Sequence, residues 1–173
     1  MTQTTSLDDV VDIRTAVISE GGKYRYVLSR HWDKSKPACC FVMLNPSTAD
    51  VLQDDATIRK CCGFAKLWGY GGINVVNLFA YRATDPKELK NVADPIGPDN
   101  ASALVTVLHE AEFVVCAWGA HGNLLNRAQE FCAKFACHTL HCLDITKAGE
   151  PKHPLYVPYT TKPIVYSRKR REI

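Results

Sequence analysis

The sequence predicts a three-layer α/β/α domain with a mostly parallel central sheet, and two observations lead to this prediction. Segments with strand composition alternate with segments of helical periodicity, an order typical of parallel sheets covered by helices. The strand segments are also apolar on both faces, as in residues 39–44, which is expected when helices cover both sides of a sheet. We expect residues 1–173 to form a single α/β domain, with a polar N-terminal arm (1–20) and a basic C-terminal tail (166–173).

The first predicted elements form an N-terminal β-hairpin that leads into the core. Residues 24–28 and 38–44 have the aromatic and aliphatic content of strands, and the polar residues 33–37 between them are typical of a turn. The second strand must end at Asn45-Pro46, because a proline cannot donate a hydrogen bond to a central ladder.

Three helices and three more strands follow this hairpin. Asp54 and Asp55 favour a helix start, and apolar residues then recur every three or four positions over residues 58–68. Strands are predicted over residues 73–79, 113–118 and 137–143, and helices over residues 100–110 and 124–135. From the first core strand onward, the order is therefore strand, helix, strand, helix, strand, helix, strand.

The composition indicates a cytoplasmic protein without a membrane segment. Hydrophobic residues make up 46% and charged residues 23% of the chain, the balance of an ordinary globular protein. No apolar run approaches the roughly 20 residues that span a bilayer, and the polar, acidic residues 1–9 do not resemble a secretory signal. Several of the eight cysteines lie in apolar runs or in a predicted helix, which favours buried free thiols in a reducing compartment.

Polar motifs follow the core strands at the sheet edge where parallel sheets bind ligands. Asn45-Pro46-Ser47 follows the first core strand, Asn77 lies at the end of the second, and Gly119-Ala120-His121-Gly122 follows the third. His153-Pro154-Leu155, after the fourth strand, should lie at the same edge. We expect these four motifs to converge on one site.

Several familiar chemistries lack their motifs in this sequence. There is no G-x-x-x-x-G-K-[ST], no G-x-G-x-x-G that opens a helix and no G-x-S-x-G, so a nucleotide phosphate loop and a nucleophile elbow are unsupported. His138 and His141 lie in a cysteine- and histidine-rich segment, but on a strand they would point to opposite faces. We therefore expect neither a metal site nor a cofactor.

The remaining pattern consists of amides and histidines. An asparagine side chain offers both donors and an acceptor, which matches the edge of a nucleobase or of another amide. A loop asparagine can also hold a water molecule, and a nearby histidine can stabilise a developing anion. Cleavage of the N-glycosidic bond of a nucleobase needs these roles, because the base leaves as an anion.

In their order, these motifs resemble those of the uracil-DNA glycosylase superfamily. The resemblance covers residues 43–47, 74–78 with the following Arg82, 114–119 and 152–155. It implies a uracil-DNA-glycosylase-like fold in which Asn45 positions water, Asn77 reads the base edge and His153 stabilises the departing base. Ser47 stands where the mismatch-specific enzymes have a glycine, which implies a base pocket with altered specificity or without glycosylase activity.

A second resemblance is more specific. Residues 43–50, 77–86 and 153–156 are similar to strings of the DUF1643 family, a bacterial and phage family of unknown function. This resemblance spans nearly the whole chain and implies relatives without implying a reaction.

The predicted site residues fall into three groups. Asn45 and His153 are assigned as catalytic; the substrate-binding residues are Pro46, Ser47, Asn77, Phe79, Arg82, Trp118 and His121; and the nucleic-acid contacts are Leu155, Arg168, Lys169, Arg170 and Arg171. The structural alternatives for these residues are turn formation, core packing, pairing of Arg82 with Asp85 and an unspecific basic tail.

Three functions stay open: a DNA glycosylase-like hydrolase acting on a damaged or modified base, a non-catalytic nucleotide or modified-base binding module, and a small-molecule nucleoside or nucleotide enzyme. The expected partner is DNA or a nucleobase or nucleotide ligand, with no membrane involved.

Overall fold

A computed structural model describes residues 12–47 and 49–168, which contain one seven-stranded sheet and three α-helices. The strands are β1 (Ile13–Ile18), β2 (Arg25–His31), β3 (Ala38–Met43), β4 (Gly72–Asn77), β5 (Val114–Cys116), β6 (Leu140–Cys142) and β7 (Ile164–Val165). The helices are α1 (Ala56–Leu67), α2 (Asn100–Glu110) and α3 (Arg127–Lys134). None of the helices in these ranges has the length and apolar character needed to cross a membrane.

The sheet is mixed, with the strand order β1-β2-β4-β3-β5-β6-β7. The four strands β4, β3, β5 and β6 run parallel to one another. The pairs β1–β2, β2–β4 and β6–β7 are antiparallel, so half of the six pairings depart from the expected direction. The α/β class is confirmed, but the prediction of a mostly parallel sheet is not, because β1 and β2 add antiparallel pairings at one edge and β7 adds one at the other.

The predicted N-terminal hairpin has the wrong partners. The strands β2 and β3 do not pair, because β4 lies between them in the sheet. The hairpin joins β1 to β2 instead, through a turn in which Gly21 and Gly22 adopt φ values of 78° and 76° that favour glycine. The predicted polar arm therefore contains an edge strand.

Helices cover both faces of the sheet, as the side-chain alternation of β3 shows. Cys39, Phe41 and Met43 pack with α1, and Cys40 and Val42 pack on the opposite face with α2 and α3. Each fully buried Leu or Phe in these two layers contributes about 1.5–3 kcal/mol relative to its exposed state. The two apolar layers hold the carboxyl ends of β3, β4 and β5 side by side.

The helix boundaries follow local capping chemistry. The Asp55 carboxylate accepts a hydrogen bond from the Ile58 N–H at 2.8 Å and starts α1, and α2 has the bounds that the sequence predicts. The helix predicted over residues 124–135 starts later, at Arg127. Leu125 and Asn126 have φ values of 49° and 58°, and these left-handed conformations interrupt the helix.

The cysteines are free thiols, and most of them lie in the core. Five are buried, two are half-buried and Cys137 is exposed. Burial raises the pKa of Cys40 to about 12, so this thiol stays protonated and unreactive at neutral pH.

Candidate functional site

A cavity of about 490 Å³ lies at the carboxyl ends of β3, β4 and β5. Its walls include segments that follow all four parallel strands, together with the start of α1 and one residue of β2. Its volume falls in the range of small-molecule binding sites. Six of the predicted site residues line this cavity: Asn45, Ser47, Asn77, Trp118, His121 and His153.

Asn77, the last residue of β4, supplies the most unusual polar group of the cavity. The residue is 1% exposed, and neither its Nδ2 nor its Oδ1 has a hydrogen-bond partner among the described residues. The backbone at this point is firmly held, because the Asn100 side-chain amide donates to the Asn77 carbonyl at 3.0 Å. A buried amide without partners costs free energy, so this side chain is available to a ligand that can satisfy it.

Asn45 ties two loops together and leaves one atom free. Its Nδ2 donates to the Ala83 carbonyl at 2.7 Å and to the Pro46 carbonyl at 3.1 Å. Both amide hydrogens are therefore used within the protein, whereas Oδ1 accepts no hydrogen bond from residues 12–47 or 49–168. Pro46 itself is buried and does not line the cavity, so its contribution is its carbonyl group rather than a substrate contact.

Ser47 holds a carboxylate at the cavity wall. Its hydroxyl donates to Oδ2 of Asp55, whose Oδ1 caps α1. Asp55 also lines the cavity, so one side chain both starts the helix and presents charge to the site. In the sequence, Asp55 has the pattern of a helix-start residue, and that pattern does not distinguish a cavity role from capping.

His153 lines the cavity and precedes a 3-10 turn, Pro154–Tyr156. Its Nδ1 accepts a hydrogen bond from the Leu155 N–H at 3.3 Å, which places the proton of the neutral ring on Nε2. Burial lowers the pKa of His153, and the charge of Asp55 acts in the opposite direction. The neutral imidazole can therefore offer an N–H donor to the cavity at neutral pH.

Arg25, on β2, is a cavity residue that the sequence did not reveal. The side chain is buried and lines the cavity; its Nη1 donates to the Ala49 carbonyl, but its Nε has no partner among the described residues. Burial lowers the pKa of Arg25 to about 10, so the group remains charged at neutral pH. An arginine between two tyrosines of a predicted strand was the available signal.

The aromatic predictions have mixed outcomes. Trp118 reaches the cavity but is anchored in the core, where its Nε1 donates to Oε2 of Glu150 at 2.8 Å. Phe79 is fully buried in the layer that contains α2 and α3 and does not line the cavity. Its predicted role in stacking on a base is therefore corrected to core packing. Tyr156, which is not among the predicted site residues, lines the cavity with 84% of its surface exposed.

The remaining predicted substrate residues lie at the margin. His121 is exposed on the loop after β5 and lines the cavity. Arg82 lies outside it, in an adjoining cavity of about 410 Å³ whose wall also contains Ser47 and Thr84. The suggested pairing of Arg82 with Asp85 does not occur, since Asp85 caps a 3-10 helix by accepting from the Lys87 N–H at 2.9 Å.

The predicted nucleic-acid contacts differ in their surroundings. Leu155 is 36% exposed beside the cavity. Arg168 forms an ion pair with the buried Glu150 at 2.7 Å and lies in another cavity, so its charge serves the protein interior. This corrects its assignment as a phosphate contact. Lys169, Arg170 and Arg171 lie outside the described residues.

Comparison with known proteins identifies one family. The family model described as "Protein of unknown function (DUF1643)" matches residues 25–155, a span that begins at Arg25 and contains Asn45, Asn77 and His153. The match covers about three-quarters of the 173 residues. No curated protein and no solved structure matches the chain.

Proposed function

The chain belongs to the DUF1643 family, and we propose from the geometry of its cavity that it is a nucleobase-directed hydrolase that cleaves the N-glycosidic bond of a damaged or modified base. The observation that carries this proposal is the buried, unpartnered amide of Asn77 in the cavity wall. The order of the motifs around the cavity supports a distant relation to the uracil-DNA glycosylase superfamily.

The amide of Asn77 suits the edge of a nucleobase. It presents an N–H donor and a C=O acceptor side by side, the complement of a ring that carries a carbonyl next to an N–H. Each buried polar atom without a partner costs about 1–3 kcal/mol, and a base edge that pairs with both atoms recovers this cost. A ligand without such an edge leaves the cost in place, so the amide also provides specificity.

The other cavity residues can supply the hydrolysis. Water held by Oδ1 of Asn45 attacks the anomeric carbon, the bond from that carbon to the base nitrogen breaks, and the base leaves with the electron pair. The Asp55 carboxylate takes the proton of the attacking water and stabilises the cationic sugar. The Nε2–H of His153 donates a hydrogen bond to the anionic base, which then takes up a proton from Asp55 or solvent.

Release of free base from a panel of substrates tests the proposal. The panel contains nucleosides, nucleotides and single- and double-stranded oligonucleotides with deaminated, alkylated or otherwise modified bases, and chromatography detects the free base. We expect the wild type to release at least one base, and Asn45→Ala to slow this release about 100-fold. Asn91→Ala, an exposed asparagine outside the cavity, is the matched control and should keep full activity. Intact substrates across the whole panel would contradict the proposal.

One observation favours a small nucleoside or nucleotide as the substrate over duplex DNA. Arg168 is neutralised by Glu150, which removes one of the expected phosphate contacts. Duplex binding through phosphates weakens steeply with salt, whereas binding of a small substrate in a cavity does not to the same extent. Release assays at salt concentrations between about 50 and 200 mM distinguish the two substrates, because only release from duplex DNA should slow steeply as the salt concentration rises. A non-catalytic binding module would bind the base without releasing it.

A further inference from the structure

Two arginines extend from neighbouring backbone segments beside the cavity. Tyr24 and Tyr81 form an antiparallel backbone bridge, and Arg25 and Arg82 directly follow these two residues. The Arg25 N–H donates to the Ala80 carbonyl at 2.9 Å, and the Arg82 N–H donates to the Lys23 carbonyl at 3.1 Å. Because side chains alternate across an antiparallel pair, Arg25 and Arg82 leave the same side of the bridge as diagonal neighbours.

The positive charges of these arginines lack carboxylate partners. Neither guanidinium is within 4.0 Å of a carboxylate oxygen in the part of the chain that the structure describes. Arg82 makes one long hydrogen bond, to the Gly22 carbonyl at 3.4 Å, and Nε of Arg25 makes none. By contrast, Lys152, another cation of the main cavity, is paired with Asp144 at 2.6 Å.

The two arginines face two cavities that share a wall. Arg25 lines the main cavity and Arg82 lines the adjoining one, and Ser47, Ala83 and Thr84 line both. Burial is the main cause that lowers the pKa of Arg25, and the charge of Asp55 acts in the opposite direction. The charge of Arg82 also lowers this pKa, which indicates that the two cations are close. Glu88 is the acidic residue of the adjoining cavity, and it is exposed.

We infer that Arg25, Arg82 and the Thr84 hydroxyl form a subsite for a phosphate group next to the base cavity, so that the substrate is a phosphate-bearing nucleotide rather than a free base or nucleoside. The inference rests on the proposed function, because the base in the main cavity fixes which group reaches the subsite. A phosphate offers several oxygens in different directions and suits two guanidinium groups that approach from separate cavities. The buried, unpaired charge of Arg25 is compensated when this anion binds.

Calorimetric titration of matched ligand pairs tests the subsite. The ligands are deoxynucleosides and their 5′-monophosphates, inorganic phosphate, and a short single-stranded oligonucleotide that carries the same base. We expect each bound monophosphate to bind about 10- to 100-fold more tightly than its nucleoside, the range for a charge-assisted hydrogen bond. Equal affinity for both members of every pair would overturn the inference.

Variants of the exposed edge of the subsite complete the test. Arg82→Gln should remove most of the advantage of the monophosphate and leave nucleoside affinity unchanged, because Arg82 does not line the base cavity. Arg59→Gln, an exposed arginine outside both cavities, is the control and should change neither affinity. Equal weakening of nucleoside and monophosphate binding in Arg82→Gln would also overturn the inference. Arg25→Lys keeps the buried charge but loses the forked geometry, and should give an intermediate loss.

The outcomes show whether the phosphate belongs to a nucleic acid or to a free nucleotide. They also distinguish failure of the subsite from failure of the proposed function. One added phosphate contact corresponds to about 10-fold in affinity. An oligonucleotide that binds at least about 10-fold more tightly than the mononucleotide therefore supports the subsite and assigns it to a nucleic-acid backbone. Equal affinities of the oligonucleotide and the mononucleotide, when both exceed the affinity of the nucleoside, support the subsite and assign it to a free nucleotide. If no nucleoside binds, and every monophosphate binds only as tightly as inorganic phosphate and in an Arg82-dependent manner, the subsite stands and the proposed function fails.

Discussion

Two cavities of this protein share Thr146 in their walls, but they differ in whether their buried polar groups have hydrogen-bond partners. In the cavity of about 820 Å³ near the C-terminal segment, Glu150 accepts hydrogen bonds from Trp118 at 2.8 Å and from Arg168 at 2.7 Å. In the cavity of about 490 Å³ at the strand ends, the amide of Asn77 and Nε of Arg25 have no described partners. The larger cavity is therefore bordered by a satisfied network that stabilises the fold, and the smaller one keeps groups free for a ligand.

The difference between the two cavities lies in the pairing of their polar groups and not in their volumes. A carboxylate that already forms an ion pair and accepts a hydrogen bond has less to offer a ligand, whereas an unpartnered buried amide has both its donor and its acceptor available to one. Trp118 connects the two regions, since it borders the smaller cavity and donates to Glu150. The satisfied network thus also fixes one wall of the proposed site.

The largest expected effect comes from breaking the satisfied network. Glu150→Ala leaves Arg168 and the Trp118 N–H without their acceptor, and we expect the free energy of unfolding to fall by about 3 kcal/mol. Denaturant titration measures this change. Glu130→Ala, which removes an exposed partner of Arg127, is the matched control and should cost less than about 1 kcal/mol. Equal effects of the two substitutions would refute the distinction between the cavities.

A smaller effect should appear in the pH dependence of stability. The pKa of His153 is lowered in the folded state by burial, so the unfolded chain binds more protons at this residue. Its contribution to stability is present above the ordinary histidine pKa, about 6.5, and is lost as the pH falls through the lower folded value. Denaturant titrations at several pH values should show this loss in the wild type and a reduced loss in His153→Gln, because glutamine does not titrate. Identical pH profiles would contradict the prediction.

The sequence was informative where local patterns decide the structure. The strands β3 and β4 and the helices α1 and α2 follow from apolar composition, periodicity and capping residues. The ends of β3 and β4 bring Asn45 and Asn77 to one cavity, and the segment after β6 brings His153 to it. The edge strand β1 lies inside the predicted polar arm, because its apolar residues Ile13, Ala16, Val17 and Ile18 do not alternate with polar ones as a half-buried strand would. The position of β4 between β2 and β3 is a long-range pairing that no local pattern encodes.

The site was predictable only in part for similar physical reasons. Residues in loops after strands stand out in a sequence, and Asn45 and His153 were found in this way. Arg25 lies within a strand, where its orientation toward a cavity depends on the neighbouring segment around Arg82. Phe79 was misplaced because β4 ends at Asn77, and the chain then turns this ring into the core.

The most direct test of the central claim compares the free energy of unfolding of the wild type and Asn77→Leu, with and without a nucleoside 5′-monophosphate that the wild type binds. Leucine has a similar shape and removes the two unpartnered atoms, so the variant should be more stable by about 1–2 kcal/mol without ligand. At a ligand concentration about 100 times the dissociation constant, the wild type should gain about 2.7 kcal/mol and the variant almost nothing. A variant that is less stable than the wild type, yet gains as much from the ligand, would show that Asn77 is a structural residue and would contradict the account.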